Sequence, residues 1–148
     1  MAEMKASPAA FDLIKRCEGL RLEAYLCPAQ VWTIGWGHTA GVKEGDIIAE
    51  QRAEELLAAD VAQIEADLPK VIHLPLTQGQ CDALVSLCFN LRGGALGLAR
   101  LAPNLVAKAN AGDMAGAAEE FLDIDRAGAK VLPGLAQRRA AERAVFLA

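Results

Sequence analysis

Apolar positions along most of this chain recur at the helical period, and they change to short β-rich runs in one stretch near the N-terminus. Ser7-Pro8 reads as a helix start, with Ser as N-cap and Pro at the first helical position; Phe11, Leu13, Ile14 and Cys17 then keep a helical rhythm. That helix is expected to end near Gly19, which sets Glu18 at or just beyond its last turn. Between Leu20 and Ile47, β-formers come as "AYL", "VWTIGWG" and "GDII", broken by Pro28, Gly35, Gly37, Gly41 and Gly45. Two or three short antiparallel strands are expected there, a sheet too small to stand without helices against it.

From Ala49 the pattern is helical. "AEQRAEELLAADVAQIEADL" forms a long amphipathic helix ending before Pro69. "LTQGQCDALVSLCFNL" starts at a Thr77 cap and carries Cys81, Leu84, Val85, Cys88 and Phe89, the pattern of a central buried helix. "GGALG" punctuates, a helix is expected from Leu98 to Asn110, and Asp113 caps another from Met114 to Leu122. "RAGAKVLPG" is expected as a loop, and Leu135 to Leu147 as the closing helix. The predicted fold class is α+β: a small antiparallel β-lobe joined by a long helix to a mainly helical lobe, with a cleft between them. In residues, this is a single domain over 1–148, with the β-lobe at about 18–48 and the helical lobe at about 70–148 plus an N-terminal helix at about 8–17.

Composition adds bounds. With 148 residues, 53% of them hydrophobic, the chain can bury a core without metals or disulfides. A net charge of −4 argues against a nucleic-acid partner held by phosphate neutralisation. The charge is uneven: Glu44 to Asp67 holds eight acids and one base, whereas Arg126 to Arg143 holds five bases and one acid. The first run reads as a solvated helix, while the basic tail suits either an anionic polymer or a buried carboxylate. No run is apolar enough for a membrane span, and "MAEMKASPAA" lacks the features of a secretory signal, so synthesis in a cytoplasm without membrane insertion is expected. Cys17, Cys27, Cys81 and Cys88 are expected as free thiols, since no CxxC pair occurs. With only His38 and His73 as imidazoles, no metal site and no cofactor are expected. His38 is expected in a structural hydrogen bond and His73 in a surface loop, while Trp32 and Trp36 are candidates for packing the hairpin or stacking on a sugar.

The stretch "CEGLRLEAYLCPAQVWTIGWGH" concentrates the remaining chemistry. Glycoside hydrolysis needs a proton donor for the leaving oxygen and a second group that handles water or the oxocarbenium charge. A carboxyl at the junction of a helix and a small sheet can be partly desolvated, which favours the protonated form such a donor needs. Glu18 fits that placement, and the Thr33 hydroxyl is suited to hold a water; spacing alone does not decide between this reading and a hairpin with a few polar residues.

The run Glu18, eight residues, Cys27, five residues, Thr33, continuing as "IGWGH", resembles the signature of the phage-type lysozymes (endolysins, glycoside hydrolase family 24). "EGLRLEAY", "TIGWGHT", "PLTQGQCDALVSLCFNL", "NAGDMAGAAEEF" and "AGAKVLPGLAQRRAAERAVFL" are similar to family blocks too, so the resemblance spans roughly Phe11 to Leu147. It implies a lysozyme-like fold and a monomeric muramidase acting on peptidoglycan, cleaving the β-1,4 bond between N-acetylmuramic acid and N-acetylglucosamine with inversion. It also implies Glu18 as general acid, Cys27 at the second catalytic position and Thr33 helping to fix the nucleophilic water. Phe89 and Asn90 would line the sugar-binding cleft, and Arg138 would be the arginine paired with the acid, although the sequence leaves Arg138 and Arg139 unresolved for that place. Release through a holin-like pore, with action in the periplasm, is the context it implies.

Two departures stand out: Ile124 where the family usually has Trp, and Asp125 where Asn is more usual. Cys27 itself keeps three readings, namely water placement, attack on the sugar, or a redox switch. A peptidoglycan-binding module with weak or no hydrolysis, and a lysozyme domain of a tail or antagonism system, are the alternatives to an endolysin.

Overall fold

The computed structural model describes residues 4–91, 93–127, 130–131 and 133–148. Helix α1 (Pro8–Glu18) leads into a hairpin of β1 (Arg21–Leu26) and β2 (Trp32–Gly35). The long α2 (Glu50–Asp67) follows and tightens into a 3-10 turn, Leu68–Lys70. Next come α3 (Gln78–Asn90), α4 (Gly94–Leu101), α5 (Pro103–Asn110) and α6 (Met114–Glu120), the last running into a 3-10 turn at Phe121–Asp123. A two-rung ladder of β3 (Arg126–Ala127) and β4 (Lys130–Val131) precedes the closing α7 (Pro133–Leu147).

The hairpin is antiparallel, pairing Tyr25 with Thr33 and Leu26 with Trp32; an irregularity between Arg21 and Tyr25 shifts the register toward Gly35. The third β-rich run takes part as a single bridge, Glu23 to Ile47, supported by hydrogen bonds from Ala24 N to Asp46 O and from Ile48 N to Leu22 O. The sheet leans on α2, where Ala53 meets the backbone of Gly35. This is the support that so small a ladder needs.

Helix α3 is the axis of the helical part. Every residue from Cys81 to Cys88 is buried, so the helix has no solvent face in that stretch. Its start is a complete capping box: Thr77 Oγ1 accepts from Gln80 N, and the Gln80 side chain accepts from Thr77 N. Gly79 lets α7 come close, because a Cβ there would stand 2.4 Å from the carbonyl oxygen of Val145. Phe121 and Phe146 fill the far end with ring centroids 5.3 Å apart.

Three expectations need correction. The segment 94–110 is two helices, not one from Leu98: Gly94 starts α4 after Gly93 adopts positive φ, and Pro103, lacking an N–H, opens α5. Ser7 occupies the N-cap position of α1, yet its side chain makes no cap bond. Its hydroxyl donates instead to Asp82 Oδ2 (2.5 Å) and its N–H to Asp82 Oδ1 (2.8 Å), tying the chain start to α3. The helix end offers only N–H donors, for which the hydroxyl would be a neutral acceptor, whereas the buried Asp82 carboxylate accepts the hydroxyl's own hydrogen bond, and bonds to a charged group contribute about 1.5–3 kcal/mol each. Finally, the stretch expected as one loop, 126–134, contains the rungs of β3 and β4 and the start of α7, while 128, 129 and 132 lie outside the described residues.

Candidate active site

A cleft of about 640 Å³ opens between the hairpin and the helices, lined among others by Glu18, Tyr25, Cys27, Thr33, Phe89 and Asn90. Glu18 and Asn90 also line a second hollow of about 710 Å³, between α1 and α7, so open space lies on both sides of the acid. Of the residues expected to form the site, five therefore share one cleft: Glu18, Cys27, Thr33, Phe89 and Asn90. Arg138 stands behind Glu18 and lines the second hollow.

Glu18 is the last residue of α1, and its side chain is 21% exposed. Arg138 Nη1 donates to Glu18 Oε2 at 2.5 Å, which resolves the choice between the two neighbouring arginines. The Arg138 guanidinium is fully committed: Nη2 donates to the carbonyl of Ser86 (2.9 Å) and Nε to Glu142 Oε2 (3.2 Å). Burial works against its charge, but Glu142 and then Glu18 outweigh burial and hold Arg138 above its ordinary range. On the open side Gly37 presses against the acid. With φ at 78° it adopts a backbone that L side chains avoid, and a Cβ there would stand 2.8 Å from Glu18 Oε1.

Arg139 holds the Asn90 amide of the cleft wall. Its Nη2 donates to Asn90 Oδ1, its Nε to the carbonyl of Ile124 (2.7 Å) and its Nη1 to Glu142 Oε1. Burial, only partly offset by Glu142, lowers the Arg139 pKa, yet an arginine so placed keeps its proton at any physiological pH. Ile124 itself packs at the edge of the core.

The opposite wall is built lightly. Cys27 directly follows β1 at the turn, where its N–H donates to Val31 O (3.0 Å) and its carbonyl accepts from Gln30 N (2.8 Å). Gln30 holds a φ of 64°, which marks the tightness of this turn. Backbone hydrogen bonding at Val31 lowers the Cys27 pKa first; partial burial opposes it, and further help comes from Ala29 and the Thr33 hydroxyl. Thr33 is buried on β2, and in the resting arrangement its hydroxyl donates to Val31 O at 2.9 Å. One hydroxyl proton serves one acceptor at a time, so donation to a Cys27 thiolate would replace the bond to Val31.

His38 is structural in geometry: Nδ1 lies 2.8 Å from Asp60 Oδ2 and Nε2 lies 3.0 Å from Ala40 O. Trp36 is buried with the Lys15 ammonium 4.5 Å from its ring centroid, so of the two tryptophans it packs the hairpin. Burial raises the Cys81 pKa to about 12 and that of Cys88 further still, which makes both small core side chains. Among the described residues, no group of three or more His, Cys, Asp or Glu side chains is clustered to hold a metal ion, and no helix is long and apolar enough to cross a membrane.

Sequence reasoning missed three participants: Glu142, Ser86 and Gly37 in its contact with the acid. Glu142 follows Arg138 and Arg139 by four and three residues, the spacing of helical ion pairs, which was the available signal.

Comparison with known proteins assigns the family. A family model for phage lysozymes matches residues 15–142. The chain is 45% identical to an endolysin of Acyrthosiphon pisum secondary endosymbiont phage 1 over 97% of its own length and 98% of that protein's. It is 41% identical to an endolysin of Bacillus phage B103, again over 97% of its length, but spans only 54% of that relative. The solved muramidase domain of SpmX from Asticaccaulis excentricus superposes with a TM-score of 0.85 at 36% identity, over 97% of this chain and 98% of that one. With the family model covering most of its length and the fold shared throughout, the chain belongs to the phage lysozyme family.

Proposed function

We propose that this chain is an endolysin-type muramidase that hydrolyses the β-1,4 bond between N-acetylmuramic acid and N-acetylglucosamine in peptidoglycan, as a single monomeric lysozyme-like domain. Glu18 is the general acid: it protonates the leaving glycosidic oxygen while Arg138 holds its far oxygen. Cys27 and Thr33, on the facing hairpin, order the water that attacks the sugar from the opposite face, giving inversion. The thiol sulfur and the Thr33 oxygen each accept a hydrogen bond from that water, the proton it loses on attack passes to solvent in the open cleft, and Glu18 regains its proton from the same solvent. Phe89 and Asn90 line the sugar path.

One observation carries this reading: Glu18, the only acid on the cleft wall that is tied to a buried arginine among the described residues, shares that cleft with Cys27 and Thr33 and borders a second hollow on its other side. A polysaccharide cut within its length needs such room on both sides of the acid. The endolysin relatives support a role in phage release; synthesis in the host cytoplasm and passage to the wall through a holin-like pore complete the proposal.

The test is digestion of purified sacculi followed by borohydride reduction and mass spectrometry of the products. New muramitol ends support the proposal. Glucosaminitol ends would reassign the bond, and sacculi bound without new ends would make the chain a binding module.

A further inference from the structure

The buried carboxylate of Glu142 has no part in the chemistry above, yet both arms of the site end on it. Its Oε2 accepts from Arg138 Nε (3.2 Å) and from the Ser86 hydroxyl (2.5 Å), and its Oε1 accepts from Arg139 Nη1. Arg138 continues to Glu18, and Arg139 continues to Asn90. The side chain of Glu142 is 0% exposed, so solvent neither screens nor replaces these bonds. We propose that Glu142 is a positioning residue that fixes the proton donor and the sugar-facing amide together, by anchoring one arginine to each. The proposal rests on the muramidase reading for its kinetic consequences.

Charge makes the anchor more than a strut. Glu18 and Glu142 cancel Arg138 and Arg139 in formal charge. The groups around the cluster include Ser86 and Cys88 from α3, Cys17 and Arg16 from α1, the Ile124 carbonyl ahead of α7 and, next to it in the chain, Asp125. On α6, Glu119 is paired with Arg143 and Glu120 with Lys108. Removing the Glu142 charge therefore leaves one guanidinium in excess beside Glu18. Excess positive charge favours the carboxylate over the carboxylic acid, and a general acid must hold its proton to work.

Three variants separate anchoring from charge: Glu142→Gln, the charge-balanced pair Glu142→Gln with Arg139→Met, and Ser86→Ala. Each is assayed by reducing-end release from sacculi across pH, with kcat and KM resolved and folding checked by thermal melting. Glu142→Gln is expected to move the basic limb of the kcat/KM profile down by about one pH unit. It should also lower kcat by about tenfold or more, as expected when a proton donor is misplaced. In the charge-balanced pair the limb returns toward wild type, whereas KM rises because Asn90 has lost its Arg139 donor. Ser86→Ala, which keeps every charge, lowers kcat a few-fold without moving the limb.

A folded Glu142→Gln protein with a wild-type limb and kcat overturns the proposal. If that variant does not fold, wild-type KM in the charge-balanced pair, or wild-type kcat in Ser86→Ala when the pair also fails to fold, overturns it. NMR of the arginine Nε–H groups reads the anchor without catalysis. The Arg138 and Arg139 signals should be shifted and protected in wild type, and exposed-like signals there would contradict the anchor even if no sacculus were cut. Wild type with shifted, protected signals but no reducing ends would sink the muramidase reading alone.

Discussion

The two walls of the cleft are built on opposite principles. The acid wall is a buried, charge-balanced cluster in which Glu18, Arg138, Glu142, Arg139 and Asn90 are joined through three helices. The facing wall is a two-stranded hairpin, where Cys27 sits at a tight turn and Thr33 is held by one backbone carbonyl. A proton donor must keep its distance and its charge environment, so it gains from many fixed partners. A group that orders a water needs only an acceptor in place, and a thiol can serve. Under the proposed mechanism, the contrast accounts for a cysteine where the chemistry suggests a second carboxylate.

The most damaging way to break the contrast is Arg138→Met, which leaves Glu142 buried with one arginine and Glu18 with none. Breaking such a pair from one side costs about 3–5 kcal/mol, the exposed part of Glu18 bringing it to the lower end. Denaturant unfolding is expected to show that loss, with hydrolysis lost as well. A loss under about 1 kcal/mol, the range of ordinary surface ion pairs, would mean that the acid wall is no sturdier than the hairpin.

A milder test uses two glycines. Gly37→Ala and Gly41→Ala both place a side chain at positive φ, with a strain of about 1–2 kcal/mol each. Only the first new Cβ meets the acid; nothing lies within 4 Å at Gly41. Similar melting losses with roughly tenfold slower hydrolysis in Gly37→Ala alone would sharpen the picture of a tightly placed acid. Equal hydrolysis in both would remove Gly37 from it.

The smallest effect is chemical. Backbone hydrogen bonds at Val31 lower the Cys27 pKa, whereas burial raises that of Cys81 to about 12. Thiolate, the reactive form, therefore forms at lower pH on Cys27. Iodoacetamide labelling followed by mass spectrometry at rising pH should modify Cys27 well before Cys81 and Cys88 in the folded protein. Simultaneous labelling of all three would mean that the hairpin gives its thiol no special setting.

Much of this fold was legible in the chain. The period of α1, α2, α3 and α7, the Thr77 box and the Asp113 cap are local signals, and local energetics decided them. The split at Pro103 was legible in principle but was hidden by apolar residues continuing across it. The Ser7 hydroxyl was not legible, because its acceptor, Asp82, lies 75 positions away. The site divided in the same way. Glu18, Cys27 and Thr33 lie within one short segment and could be read as a pattern. Arg138 and Arg139 are adjacent, both buried, and equivalent by charge, so only packing separates their targets. Glu142 looked like one more surface acid in a basic helix, since burial of a charge leaves no mark in composition.

Rates of reducing-end release by Glu18→Gln and Cys27→Ala, compared on the same sacculi with melting temperatures matched to wild type, test the central claim most directly. With Glu18 as proton donor and Cys27 only ordering a water, Glu18→Gln loses about a thousandfold or more, within the range of removing an essential proton donor, while Cys27→Ala keeps a measurable rate. A Cys27→Ala loss as large as that of Glu18→Gln, or a Glu18→Gln protein that still cuts, would contradict it.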